Sequence, residues 1–351
     1  MKLESTDVKA YGTEAVTLPL QLMQIPRRKL LPEDVEIEIL YCGICHSDLH
    51  VLRNDWGGAS YPVVPGHEIV GRVTAVGNHV TRFKPGDIAG VGCLVDSCRH
   101  CDYCREGLEQ FCEPGNTVVF GWPDKHLGGH TFGGFSESIV VDQNYTLHIP
   151  QGELSAAGAA PLLCAGITVY SPLKHWNIGP GKKVGIIGIG GLGHLAIKIA
   201  RAMGAHVTVF TTSASKATDA KELGANEVVL STDTAQMEMP AKLDLIIDTV
   251  SAKHEINIYL DKLKVDGALV LVGLPPEQLE LGAGNVVHGR KSVAGSNIGG
   301  IAETQEMLDF CAEHEIAADV ELISIHDVNQ AFERLEKGDV RYRFVVDMKT
   351  L

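Results

Sequence analysis

Basic side chains are in deficit: 30 Lys and Arg against 44 Asp and Glu leave a formal charge of −14 over 351 residues. A mean field of that sign repels nucleic acid and anionic lipid, so neither is expected as a partner. Long apolar runs are missing as well. The least polar stretch, Ala156 to Tyr170, is fifteen residues long and interrupted by glycine, proline and threonine, too short to span a bilayer. The segment Met1 to Gly12 carries two acids and two lysines and lacks the apolar core of an export signal. A disulfide framework is not expected either. The nine cysteines, 42, 45, 93, 98, 101, 104, 112, 164 and 311, are an odd number in a long chain, which suits metal ligands and free thiols in a reducing compartment. The expectation is a cytoplasmic protein whose partners are small molecules and other protein chains.

What is present is enough for two cores. A 45% apolar chain of this length exceeds the size at which one core stops growing. Up to about residue 150 the sequence reads as short β segments cut by Gly and Pro: Val35 to Tyr41, Ile69 to Val76, Ile88 to Val91 and Ser138 to Val141. From Lys183 the rhythm becomes strand, helix, strand, with strands at Val184 to Gly188, Val207 to Phe210, Val228 to Leu230, Leu245 to Asp248 and Ala268 to Gly273. Leu192, Leu195, Ala196, Ile199 and Met203 share one helical face, as needed to pack on a parallel sheet. The fold class expected is therefore α/β: a β-rich domain at 1–165, a doubly wound parallel sheet at 166–293, and a return at 294–351. The return ends in an expected strand from Asp339 to Asp347.

Four cysteines fall within fifteen residues as Cys98-x2-Cys101-x2-Cys104-x7-Cys112. Four thiolates make a closed tetrahedral site for a soft dication, with zinc the expected occupant. No position stays open for chemistry, so this site is structural. The run Gly188, Ile189, Gly190, Gly191, Leu192 and Gly193 follows an apolar strand and opens the amphipathic helix. In that context G-x-G-x-x-G brings backbone N–H groups and a helix N-terminus to a pyrophosphate, whereas alone it marks only a tight turn. An acid about 20 residues further on selects NAD by gripping its ribose 2′-hydroxyl. Here the positions are Thr211, Thr212, Ser213, Ser215 and Lys216. Their hydroxyls and ammonium suit a 2′-phosphate, so NADP(H) is expected, although Ser213 or Ser215 can equally cap the next helix.

Cys42-Gly-Ile-Cys45-His46 fits a haem attachment site or a redox pair by pattern. The missing export signal opposes the first and the β-rich context the second. A third reading makes Cys45 a ligand of an open zinc site together with His67, Glu68 and Cys164. Taken singly, each has a bland alternative as a buried thiol or a satisfied polar group.

Taken together, these segments make the chain resemble the zinc-dependent medium-chain dehydrogenase/reductase family over nearly its whole length. The matching segments are Cys42 to His50, Pro65-Gly66-His67-Glu68, Lys84-Pro85-Gly86-Asp87, the four-cysteine run, Cys164 to Thr168 and Gly188 to Gly193. Thr211-Thr212-Ser213 and Asp339 to Phe344 are similar to the cinnamyl alcohol dehydrogenase group, which includes bacterial broad-range aldehyde reductases. The resemblance implies a GroES-like catalytic domain interrupted by a Rossmann domain, two zinc ions and a homodimer. It implies that Cys45, His67 and Cys164 bind catalytic zinc, that Glu68 can join them, and that Asp48 fixes the tautomer of His67. Ser47 and His50 would relay a proton. Thr168, Thr249, Gly273, Ser296 and Ile298 would line the nicotinamide half of the cleft, and His46 and Arg343 would meet the pyrophosphate. Trp56 and Trp122 are either walls of a substrate pocket or core, and Cys42, Cys93 and Cys311 are expected to be buried thiols. The activity implied is reversible hydride transfer between NADPH and aldehydes, aromatic ones included. Two other readings stand beside it: a noncatalytic nucleotide sensor, and an NAD-linked or polyol dehydrogenase.

Overall fold

A computed structural model describes residues 4–150, 152, 154–238, 242–275 and 277–351; the first three residues of the polar amino-terminal segment lie outside them. The chain forms two compact units, one of residues 1–164 and 299–351, the other of residues 165–298.

The first unit begins with a hairpin that composition did not announce, β1 (Ser5–Gly12) paired antiparallel to β2 (Gln21–Arg28). β3 (Asp34–Gly43) and β4 (Ile69–Val76) follow, pairing antiparallel from Val35 opposite Val76 to Cys42 opposite Ile69. Val35, Ile37, Ile39, Ile69, Val70 and Val73 are all buried, and their β-branched side chains suit a packed pleated surface. β5 (Ile88–Val91) extends the sheet. A small pair, β6 (Leu94–Asp96) and β7 (Thr117–Val118), brackets the four-cysteine run. β8 (Ser138–Asp142) pairs with β3 and β9 (Leu147–His148) with β5.

In the second unit, β10 (Lys183–Ile187), β11 (His206–Thr211), β12 (Glu227–Leu230), β13 (Leu243–Asp248), β14 (Leu263–Leu271) and β15 (Ser292–Gly295) form one parallel sheet. Its order is β12-β11-β10-β13-β14-β15, so connectivity reverses beside β10. That reversal opens the crevice at the strand C-termini where such sheets take ligands. β10 stops one residue before the expected end because Gly188 turns to φ +90°. On the helix Gly193–Ala202, Leu195, Ala196 and Ile199 are wholly buried, while Leu192 and Met203 occupy its two caps, half-buried.

The chain then re-enters the first unit, where β16 (Val320–Ser324) pairs parallel to β17 (Arg343–Asp347), and β17 lies antiparallel to β3. The completed order is β16-β17-β3-β4-β5-β9, with β8 also on β3. The terminal strand is shorter than Asp339 to Asp347, the span expected from sequence. The N–H groups of Tyr342 and Arg343 both donate to the Asp319 carbonyl, and the regular ladder starts only after that convergence. Among the described residues, no single helix is long and apolar enough to cross a membrane. The apolar stretch at 156–170 breaks instead into the helix Ala156–Ala159, a 3₁₀ turn and the first half of the helix Ala165–His175, nearly all buried.

Candidate active site

Cys45 precedes the short helix His46–Leu52, whose start is held by Asp48: its Oδ2 accepts the Cys45 N–H at 2.9 Å. The other oxygen, Oδ1, accepts the Gly66 N–H at 3.0 Å and lies 2.9 Å from His67 Nδ1. One fully buried carboxylate thus ties the helix to the loop before β4. Facing a carboxylate, His67 Nδ1 carries its ring proton, which leaves the Nε2 lone pair free to bind a metal. Nε2 lies 3.2 Å from Cys164 Sγ. Ligand atoms of Cys45, His67, Glu68 and Cys164 all fall within 4.8 Å of one another. Zn–S bonds of about 2.3 Å and Zn–N bonds of about 2.0 Å require ligand separations of about 3.5 to 3.8 Å, so the cluster is close to the size zinc demands.

The electrostatics say the same. The bond between the two thiols pulls Cys45 well below the ordinary thiol value and pushes Cys164 well above it. Two adjacent thiols cannot both be anions without a cation between them. Burial raises Glu68 to about 7 despite the opposing charge of Arg343, to which its Oε1 is hydrogen-bonded. Glu68 Oε2 and Arg343 Nε are both buried with no hydrogen-bond partner. Ser47 Oγ lies 3.8 Å from Cys45 Sγ. His50 Nδ1 meets Asp55 Oδ2 at 2.8 Å, and its ring rests 4.9 Å from that of Trp56. Trp56 and Trp122 are about half exposed (49% and 47%), which disposes of the alternative that they are core. His46 is exposed at the first helical position.

Cys93 was expected to be an inert buried thiol, as Cys42 and Cys311 are. It is instead partly exposed, and its thiol bonds to that of Cys164 beside the cluster. Spacing gave no hint of this, because Cys93 follows β5 on a segment without a motif. The ring of Phe120, 5.8 Å from that of His67, was also invisible to pattern.

The second cluster unites Cys98, Cys101, Cys104 and Cys112. Backbone N–H groups of Cys98 and Cys101 donate to the sulfurs of Cys112 and Cys98, both at 3.3 Å, as they do to thiolates. Ser97 Oγ stands 3.1 Å from Cys104 Sγ and bonds to the Tyr145 hydroxyl at 2.5 Å. Backbone donors lower Cys98 to about 6 while burial pushes Cys112 up to about 12, again a set that a dication would equalise.

In the second unit each glycine of the fingerprint has its own reason. Gly188 needs its positive φ, a Cβ on Gly193 would sit 2.2 Å from the Gly188 carbonyl, and a Cβ on Gly190 would meet nothing within 4 Å. The first makes the turn, the last lets helix and strand touch, and the middle one faces open space through which a pyrophosphate can approach. Ile189 is buried and Gly191 half-buried along this turn. Thr249 Oγ1 donates to the Ile187 carbonyl at 2.7 Å, and a Cβ on Gly273 would strike the Val250 carbonyl at 2.4 Å. These two positions bring the ends of β13 and β14 against the glycine turn. Ser296 N–H donates to Leu271, Ile298 adopts φ +40°, and Thr168 is buried in its helix.

After β11, Thr211 Oγ1 accepts the Ser213 N–H, Ser213 Oγ lies 2.8 Å from Ser215 Oγ, and Lys216 Nζ donates to the Ile189 carbonyl. Thr212 is exposed beside them. Ser215 occupies the helix cap without making a side-chain cap bond, so capping does not explain these hydroxyls.

Residues 31–151 match the alcohol dehydrogenase GroES-like domain and residues 191–313 match zinc-binding dehydrogenase. The chain is 53% identical to the aldehyde reductase YahK of Escherichia coli, covering 98% of this chain and 99% of that one. Cinnamyl alcohol dehydrogenase from Sorghum bicolor superposes with a TM-score of 0.95 at 48% identity, covering 98% of both chains. CAD from Helicobacter pylori complexed with NADP(H) does so with a TM-score of 0.93 at 40% identity, covering 99% of both. With two gathered ligand clusters, a parallel sheet carrying a glycine turn and relatives matching end to end, the chain belongs to the zinc-dependent medium-chain dehydrogenase/reductase family.

Proposed function

We propose that the protein is an NADP(H)-dependent zinc alcohol dehydrogenase working mainly as an aldehyde reductase, with small aldehydes, aromatic ones included, as substrates. One observation carries this reading: Cys45, His67 and Cys164 converge with the His67 tautomer pinned by Asp48 and a hydroxyl, Ser47, beside Cys45. When bound there, zinc supplies a Lewis acid toward the substrate oxygen, and the nicotinamide supplies the hydride. Ser47 can donate a proton to that oxygen and take another in turn. His50 holds its Nδ1 proton against Asp55, which leaves Nε2 as the acceptor through which a proton passes to solvent.

Thr211, Thr212, Ser213 and Lys216 would hold the 2′-phosphate, Gly188 to Gly193 and Arg343 with His46 the pyrophosphate, and Thr168, Thr249, Gly273, Ser296 and Ile298 the nicotinamide. Trp56, exposed against His50, favours flat apolar substrates. A homodimer through the free edge of β15 fits the exposed Val265, Leu274, Leu281 and Val287 carried by β14 and the segment that follows it. The cytoplasm, a reducing compartment, suits nine free cysteines.

Turnover of benzaldehyde tests the reading. The expected result is a clear NADPH preference in kcat/KM that Ser213→Asp erodes by about tenfold or more, through repulsion of the 2′-phosphate. Equal use of NADH by the unmutated enzyme would favour the NAD-linked alternative. No turnover by folded, zinc-replete protein would favour a noncatalytic sensor.

A further inference from the structure

We infer that Asp248 and His254 are positioning residues for the cofactor: together they clamp the loop after β13 in the shape that receives the nicotinamide half of NADP(H). The inference deepens the NADP(H) reading above and rests on it.

This loop, residues 249–255, leaves the sheet beside the glycine turn. Thr249 opens it, its Oγ1 donating to the Ile187 carbonyl at 2.7 Å and lying 3.1 Å from where a Cβ on Gly188 would stand. Beyond Thr249 little holds the backbone. Among the described residues, no backbone–backbone hydrogen bond begins or ends within 250–254, and Ser251, Ala252 and Lys253 are exposed. Two side chains do the fastening. Asp248 Oδ1 accepts the Val250 N–H at 3.1 Å, Oδ2 meets His254 Nε2 at 2.9 Å, and His254 Nδ1 lies 2.9 Å from the Ala252 carbonyl.

The protons follow from the partners. A carbonyl only accepts, so Nδ1 carries a hydrogen. Nε2 and Oδ2 must then share a second one, since a bare lone pair facing a carboxylate is repelled. Asp248 is 1% exposed, set between Ile187 and Leu271 of the flanking strands, where an ionised carboxyl needs a partner. The neighbouring charges are engaged elsewhere, Glu255 with Asn257 and Lys253 with Glu280 at 3.7 Å. Tyr259, from the helix Asn257–Leu260, turns its ring edge-on to His254 at 6.3 Å.

Sheet order says which half of the cofactor the clamp serves. β11, where Thr211 to Lys216 stand, and β13 flank β10 on opposite sides. A dinucleotide crossing the glycine turn with its 2′-phosphate at β11 therefore extends its other half over the ends of β13 and β14. There a Cβ on Gly273 would strike the Val250 carbonyl at 2.4 Å, so the clamped loop and the end of β14 are in direct contact. Releasing the clamp disturbs the nicotinamide side and leaves the adenosine side as it was.

The test measures binding, without aldehyde, of NADPH and of adenosine 2′,5′-bisphosphate to the zinc-loaded enzyme by calorimetry. His254→Ala and Asp248→Ala should each weaken NADPH about tenfold, the loss expected when the receptive loop shape falls to about a tenth of the population. Adenosine 2′,5′-bisphosphate should stay within about twofold, which also shows that the variants fold. Should Asp248→Ala fail to fold, His254→Ala carries the test, because its site is on a surface loop. Asp248→Asn should recover NADPH to within about threefold: the amide oxygen can accept from Val250, and its NH₂ can donate to a neutral His254 that still donates to Ala252. Three results would overturn the inference: unchanged NADPH affinity in His254→Ala, equal weakening of both ligands, or Asp248→Asn as weak as Asp248→Ala. A parent enzyme that binds neither ligand would instead remove the NADP(H) reading, and this inference with it.

Discussion

Replacing Asp48 by Asn keeps the shape of a buried side chain and removes its charge, and the structure says where the damage falls. The carboxylate serves three donors, Cys45 N–H, Gly66 N–H and His67 Nδ1, at 2.9, 3.0 and 2.9 Å. An amide has one oxygen and one NH₂ group. If its oxygen takes the place of Oδ1, Gly66 and His67 stay served, but the NH₂ confronts the Cys45 N–H and the helix His46–Leu52 loses its anchor. A buried donor left unmet costs about 1 to 3 kcal/mol. If the amide is turned the other way, its NH₂ faces His67 Nδ1, which must give up its proton. That proton moves to Nε2, the atom 3.2 Å from Cys164 Sγ, and the lone pair that a metal needs is gone. Either orientation should lower metal affinity by about 10- to 100-fold, or about 1.4 to 2.8 kcal/mol. Dialysis against graded chelator followed by elemental analysis reads the loss, and NADPH fluorescence titration provides the control because the glycine turn lies in the other unit. Asp48→Asn protein that keeps its zinc at the chelator concentration tolerated by the parent, with an unchanged melting temperature, would refute the argument.

Three further outcomes follow from other parts of the chain. Cys101→Ser should reduce zinc from two to one per chain and lower thermal stability, whereas Cys164→Ser should lose the other zinc and all turnover while melting near the parent; identical behaviour by elemental analysis and calorimetry would contradict two separate sites. Ser47→Ala should cut kcat by about 100-fold, and His50→Gln by less, about tenfold, since water can replace the outer member of a relay; equal losses in steady-state assays would remove His50 from the periphery. Burial alone raises the Asp34 carboxyl, but the Arg28 fork and the Leu31 N–H outweigh it and hold it below its ordinary 3.8. Its contribution is therefore complete above that value and disappears as pH falls through the lower, folded one. Asp34→Asn should cost about 2 kcal/mol near neutrality, and the gap in denaturant midpoint between parent and variant should close below about pH 3.8; a gap that stays constant in acid would count against the pair.

How much was legible in the chain depends on the distance over which each feature is encoded. The four-cysteine run and the glycine fingerprint are local: their ligands and turns sit within one loop, where spacing along the backbone nearly equals arrangement in space. The strands of the parallel sheet were readable for a similar reason, since burial on both faces leaves near-continuous apolar runs such as Val184 to Ile187 and Leu245 to Ile247. The hairpin β1–β2 was not, because its burial is low and irregular along both strands and no alternation marks it.

The open metal site lies at the other extreme. By themselves the residues left Cys45, His67 and Cys164 with bland alternatives, and it was resemblance to a family that singled them out. His67 and Cys164 are 97 positions apart, and Glu68 meets Arg343 across 275. Those meetings exist because β17 returns to pair with β3 and because Asp48 ties one helix to one loop. Cys93 joins Cys164 on the same terms, without any motif. Sequence by itself determined the fold class, the closed cysteine loop and the nucleotide turn, all built from neighbours whose hydrogen bonds are short-range. Only the tertiary structure decided which distant side chains share a buried volume, since that is set by sheet closure and packing, and these act between residues whose separation along the chain carries no information about their separation in space.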